Sequence, residues 1–265
     1  MRFVLAMLIA TFTAAAAGAT CDNCHGSRVV GPGPVRFACP VCEGTGEVSV
    51  VEHPPVVLSD AEAAGQPRPV VARVTSANGN LRHSGSGVLV AASGSTATVL
   101  TNWHVVDEAR DGITVAWPDG SRAAAKLIAH DRVWDLAALV VARPVAEPVA
   151  LAAQAPKIGD RLTIAGWGPK GVYLEQTGAV IDYVSPRDVT HRQIVEMRAA
   201  ARNGDSGGPM FNADGELAGV LFGHLDGRTF GSCSTRVAAF LEGARVAAAP
   251  APSRAVCADG RCQTR

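Results

Sequence analysis

Asn203-Gly204-Asp205-Ser206-Gly207-Gly208-Pro209 is the stretch from which the rest of the chain is read. A serine hydroxyl is a weak nucleophile. It needs a base to take its proton and donors to hold the oxyanion that forms as it attacks. Glycines on both sides of Ser206 let the backbone turn sharply. They allow the amides of Gly204 and Ser206 to point at one spot with no side chain in the way, a candidate oxyanion hole. Gly207-Gly208 permits close approach from the other side. The bland alternative is a glycine-rich hairpin loop, which weakens once two further stretches are read beside it.

Thr101-Asn102-Trp103-His104-Val105-Val106 offers the base. His104 sits at the end of an apolar strand, after Thr101, and an imidazole, with its usual pKa near ~6.5, is a competent base around neutral pH. His83, His130, His191 and His224 have no comparable setting and read as surface or loop residues. Trp134-Asp135-Leu136-Ala137-Ala138-Leu139-Val140 offers a carboxylate at the mouth of a fully apolar strand. There it can be held dry, accept the second N–H of an imidazole and fix its tautomer. Asp131 is the rival, but no apolar strand follows it directly.

Around these stretches the chain reads as many short strands. Candidates lie at 70–75, 87–91, 96–101, 113–117, 123–129, 136–142, 161–165, 178–184, 194–197, 209–211 and 217–222. Ser93-Gly94, Pro118-Asp119-Gly120 and Asp214-Gly215 supply turns between them. Only 236–246 has a helical period, with Val237, Phe240 and Leu241 on one face. Short strands with hairpin turns make an all-β sandwich or barrels. A body of this size suits two packed barrels with a short C-terminal helix, divided near 143–160.

The order histidine, aspartate, serine and the run Gly-Asp-Ser-Gly-Gly-Pro resemble the chymotrypsin/trypsin-like serine peptidases. Gly85-Ser86-Gly87-Val88-Leu89, the stretch around His104, the run after Asp135 and Ile158-Gly159-Asp160 are similar to the bacterial HtrA/Deg-like branch. The resemblance spans about 80–242. It implies two six-stranded barrels with the active site in the cleft between them, and acyl-enzyme chemistry on Ser206. His104 would be general base, Asp135 its orienting partner, and the amides of Gly204 and Ser206 the oxyanion hole. Loop alignment implies a substrate pocket with Ala200 at its base and Ser232, Phe222 and Gly223 on its walls. With no acid at the base, it implies a small or medium apolar side chain before the cut. Members of that branch usually carry a PDZ domain after the peptidase. The short tail at 243–265 leaves no room for one, so cage assembly and peptide-triggered activation are not expected. Asp205 resembles the trypsin residue that pairs with a freshly cut N-terminus, yet no activation site is visible, which leaves it to orient the loop. The alternative function is a pseudoprotease that binds through its N-terminal module.

That module occupies 20–48. Cys21-Asp-Asn-Cys24-His-Gly26 and Cys39-Pro-Val-Cys42-Glu-Gly44 form two CxxC knuckles. Four thiolates suit one tetrahedral, structural zinc with no open position for water. The glycine two residues after each second cysteine lets the chain curl round the sulfurs, and the pair resembles half of the zinc region of DnaJ-type co-chaperones. Disulfides are the alternative in an oxidising compartment. Cys257 and Cys262 read as a local disulfide, with Cys233 free; a bond from Cys233 to the tail is the other possibility.

Residues 1–19 read as a signal peptide: Arg2, then an apolar run, then Ala17-Gly18-Ala19 as a small-x-small cleavage site. An uncleaved anchor is the alternative, and lipidation at Cys21 fits the preceding residues badly. A proline-rich linker follows the cysteine module at 49–69, and the peptidase-like body runs over 70–242. These features place the protein in the periplasm or outside the cell, with protein or peptide substrates and no membrane span after cleavage. Of 265 residues, 48% are hydrophobic and 18% charged, enough for a real core. The formal net charge of zero disfavours a general nucleic-acid or anionic-membrane binder.

Overall fold

The computed structural model describes residues 66–186, 189–246 and 248, with the backbone of six short strands toward the two ends. Val71–Asn78 (β5), Leu81–Ser93 (β6), Thr96–Thr101 (β7), Ile113–Ala116 (β8), Arg122–Asp131 (β9) and Leu136–Ala142 (β10) close into one barrel in the order β10-β7-β6-β5-β8-β9. Arg161–Trp167 (β11), Tyr173–Val184 (β12), Ile194–Arg198 (β13), Pro209–Phe211 (β14), Leu217–Leu225 (β15) and Arg228–Cys233 (β16) close into a second, ordered β11-β12-β13-β16-β15-β14. All the strand pairs within the barrels are antiparallel, and closure leaves neither sheet with an open edge along its full length. The connector between barrels is stitched to both. Val149 N–H donates to Leu89 O, and Ala150 O accepts from Leu217 N–H.

The apolar run of β10 shows why the chain folds this way. Ala137, Leu139 and Val141 point into the core of the first barrel, with Leu89, Val99 and Val115. Leu136 and Ala138 point the other way, into a seam between the barrels. There they meet Val88, Val90, Leu100 and Trp134 from the first barrel and Ile194, Val220, Phe222 and Phe230 from the second. A strand buried on both faces loses the polar alternation of a half-exposed strand. The second barrel has its own core of Leu162, Ile164, Met197, Met210 and Leu221. Ser234–Gly243 (α2) closes the seam with Val237, Phe240 and Leu241.

Three details depart from the sequence reading. His104 does not end a strand: Trp103–Val106 (α1) is a single helical turn after β7. The C-terminal helix starts at Ser234, where the turn after Cys233 begins it, and stops at Gly243 rather than 246. Strand β16 was not expected, because Arg228 and Gly231 interrupt its apolar pattern; it lies between β13 and β15 and is buried over most of its length.

Outside the barrels, Ala19–Thr20 (β1), Val29–Val30 (β2), Phe37–Ala38 (β3) and Glu47–Val48 (β4) form two ladders, β1 with β4 and β2 with β3. Each CxxC segment therefore connects the same two ladders. Cys21, Cys24, Cys39 and Cys42 themselves lie outside the described residues, as do residues 1–18 of the expected signal peptide. Ala255–Ala258 (β17) and Arg261–Thr264 (β18) pair so that Cys257 stands opposite Cys262. Among the described residues no helix is long and apolar enough to cross a membrane.

Truncating a fully buried seam side chain should leave a cavity between the barrels. Phe230→Ala is expected to lower unfolding free energy by about 3–5 kcal/mol in urea titration; a loss below about 1 kcal/mol would mean the seam is not close-packed.

Candidate active site

Asp135 is fully buried and carries φ of 52°, a left-handed conformation that aspartate tolerates better than most side chains. The turn that delivers it is capped by Asp131, whose Oδ1 accepts from the amides of Val133 and Trp134. The rival carboxylate of the sequence reading thus shapes the loop and ion-pairs with Arg236. Asp135 faces the turn that begins α1. Its Oδ2 lies 2.5 Å from His104 Nδ1, and its Oδ1 accepts from His104 N–H at 2.9 Å. Its main-chain carbonyl accepts from Asn102 Nδ2 at 2.8 Å and from Trp103 N–H. Burial pushes the Asp135 carboxyl above its ordinary range, and the hydrogen bonds and charge of His104 oppose that rise. The imidazole is a quarter exposed, with its Nδ1 held by Asp135.

Ser206 belongs to the second barrel and sits where the two meet. Its carbonyl accepts from Ser86 N–H of β6 at 2.7 Å. Both Val105, next to His104, and the Ser206 carbonyl press on the Cα of Gly85: a methyl there would meet them at 2.6 and 2.9 Å. Its hydroxyl turns toward Phe222 O at 3.4 Å and makes no hydrogen bond with His104. The preceding loop is tightly held. Arg202 clamps Asp205 with both ends of its guanidinium, Nη2 to Oδ1 at 2.8 Å and Nε to Oδ2 at 3.1 Å, and its amide also donates to Oδ2. Gly166 and Gly168 make room: a side chain at either would collide with Asp205 or with the guanidinium. Gly204 has φ of 93°, against the carbonyl of Trp167. Among the described residues the amides of Gly204 and Ser206 have no hydrogen-bond acceptor.

A model of the trypsin-like peptidase domain matches residues 85–220, just over half of the chain. The chain belongs to that family. A probable periplasmic serine protease, do/HhoA-like, of Haemophilus influenzae is 33% identical over 147 residues, covering 53% of this chain and 31% of that protein. The Do-like serine protease HtrA of Bacillus subtilis is 31% identical over 147 residues, covering 52% and 32%. The chain thus spans about a third of the length of these relatives. A serine endoprotease from Yersinia pestis has the same fold, with a TM-score of 0.59 at 24% identity over 68% of this chain and 64% of that one. So does the active form of an M. tuberculosis protease, with a TM-score of 0.59 at 22% identity over 76% and 96%.

Within this trypsin-like peptidase domain the pocket residues of the sequence reading are scattered in environment. Ala200 and Gly223 are partly exposed. Phe222 is different: its ring lies in the seam, and only its carbonyl faces Ser206. Ser232 is also fully buried, and its hydroxyl donates to Trp134 O at 2.9 Å, bracing the Asp135 loop from the second barrel. These two side chains are therefore structural parts of the seam, because strand alternation turns them inward. Arg202 was missed; its spacing of three residues before Asp205 was the only available signal. Among the described residues Cys233 is a buried free thiol, 3.2 Å from Thr235 Oγ1.

Asp135→Asn should keep the fold, since asparagine also tolerates the left-handed region. It should lower kcat on an ester or peptide substrate about 10⁴-fold by losing the orienting carboxylate. A loss under tenfold would show that Asp135 does not orient a working base.

Proposed function

We propose that this protein is an exported serine endopeptidase. The bond between buried Asp135 and His104 Nδ1, on the barrel whose Ser86 amide holds the Ser206 carbonyl of the other, carries this reading. In it, Ser206 Oγ turns from Phe222 O to His104 and attacks the scissile carbonyl carbon while His104 Nε2 takes its proton. Asp135 holds the Nδ1–H and balances the imidazolium that forms. The carbonyl oxygen becomes an oxyanion, received by the amides of Gly204 and Ser206. Collapse breaks the C–N bond, His104 returns the proton to the leaving amine, and an ester remains on Ser206. Water repeats the sequence with His104 as base and frees the acid.

The supports are the family membership, the complete set of reacting side chains and the two acceptor-free amides. An apolar Ala200 favours a small or medium apolar residue before the cut. The N-terminal leader favours export, with the periplasm as the expected compartment where a second membrane is present.

The cysteine module is read as a structural zinc site formed by Cys21, Cys24, Cys39 and Cys42. Two knuckles that join the same two ladders suit a single shared ion, which would fold a segment too small for a core. Cys257 and Cys262 stand directly opposite in an antiparallel pair, a separation that suits a disulfide.

Wild type should digest casein, and Ser206→Ala should lose about 10⁶-fold in kcat. A fluorophosphonate should label the wild type and not the variant. Equal digestion by both would remove the proposal. Elemental analysis of the purified protein should find about one zinc per chain, lost in Cys24→Ser; metal-free protein with two disulfides in the module would replace zinc by cross-links.

A further inference from the structure

Ser86 is a fully buried serine on β6 of the first barrel, and each of its polar groups is engaged. Its amide donates to Ser206 O at 2.7 Å, and its carbonyl accepts from Thr101 Oγ1 at 2.7 Å. Its hydroxyl does two further things at once. It donates to Gly204 O at 2.8 Å and accepts from Trp167 N–H at 2.8 Å, both in the second barrel. Three of the four bonds therefore cross between barrels, and two of those end on Gly204 and Ser206, whose amides form the proposed oxyanion hole.

We propose that Ser86 is a positioning residue for that hole, its hydroxyl holding the Gly204–Asp205 peptide in the orientation that leaves the Gly204 amide facing the substrate. The proposal rests on the peptidase reading above. Gly204 cannot be held by its own side chain, because it has none and its Cα lies against Trp167 O. On its far side the Arg202–Asp205 clamp fixes the loop. Between the two, the rotation about the Gly204 Cα–C bond is soft, and glycine offers little resistance to it. A donor on Gly204 O removes that freedom. Trp167 N–H orients the donor, since a hydroxyl that accepts from one side points its own proton to the other. The Ser86 hydroxyl thus aligns the loop with the strand that also receives Ser206.

Removal of one oxyanion donor from a serine peptidase lowers kcat about 10²–10³-fold. Ser86→Ala leaves the Gly204 amide in place but loosens its aim. The expected result is a kcat about 10–100-fold lower with KM within about twofold, because the donor acts on the transition state and not on ground-state binding. Affinity for a peptide aldehyde, whose adduct carries an oxyanion, should fall by a similar factor. Ser234→Ala is the control. It removes an equally buried hydroxyl, bonded to Gln154 O at 2.9 Å and not to the loop of Ser206, and should lower stability alone. If the alanine variant does not fold, Ser86→Cys fills the same space with a weak donor and should show the same loss.

Ser86→Ala with kcat and aldehyde affinity within twofold of wild type would overturn the proposal, and so would a loss confined to KM. The rate of fluorophosphonate labelling at Ser206 gives the same ratio without a peptide substrate. A wild-type chain that labels but does not cut peptides would sink the endopeptidase reading and leave this ratio measurable. A wild-type chain that does neither would overturn both.

Discussion

His104 and Asp135 belong to one barrel and Ser206 to the other, so their relative placement is only as fixed as the apolar seam between the barrels. Val88, Leu100, Trp134, Leu136, Ile194, Val220, Phe222 and Phe230 form that seam. Each large side chain removed from water contributes about 1.5–3 kcal/mol, and close packing resists sliding as well as separation. Directional bonds then set the register. Ser86 N–H reaches Ser206 O, Ser232 Oγ reaches Trp134 O, and Trp167 Nε1 reaches Val71 O. Apolar burial supplies the cohesion, and a few hydrogen bonds decide where along the seam the barrels stop.

Two buried carboxylates lie beside this seam, and the fold treats them differently. Asp205 meets a guanidinium in a two-pronged pair, the geometry that best offsets the cost of taking a charge out of water. It is thereby committed to holding the loop, and no cut N-terminal amine is needed to neutralise it. Asp135 meets an imidazole, which is a weaker and switchable partner. Burial pushes its carboxyl up while His104 pulls it down. In the proposed mechanism that balance suits a group that stabilises a transient positive charge on its neighbour. One carboxylate is locked into structure and the other is coupled to a proton acceptor, by the choice of partner alone.

The entry to the first barrel is tied to the second. Arg68 donates to both carboxylate oxygens of Glu175, at 2.8 and 3.0 Å, and its guanidinium lies over the Phe211 ring. Its amide also meets the Tyr173 hydroxyl. The segment just before β5 is thus fastened to β12.

The glycine-flanked serine, the histidine after its apolar run and the aspartate before a fully apolar strand were legible in the sequence because each is set by neighbours a few residues away. So were eleven of the twelve barrel strands and the C-terminal helix, whose periods and turns are local properties; of the barrel strands only β16, broken by Arg228 and Gly231, escaped. The inward turn of Phe222 and Ser232 was not legible. Which face of a strand meets the seam depends on the second barrel, and a shift of one residue reverses it. Nor were the partnership of Arg202 with Asp205 or the four-way engagement of Ser86 legible, since Gly166, Gly168, Trp167 and Gly204 reach them only when both barrels have closed. Local chemistry was written in neighbouring residues, whereas the alignment of that chemistry came from contacts between residues as much as 118 positions apart, as in Ser86 with Gly204.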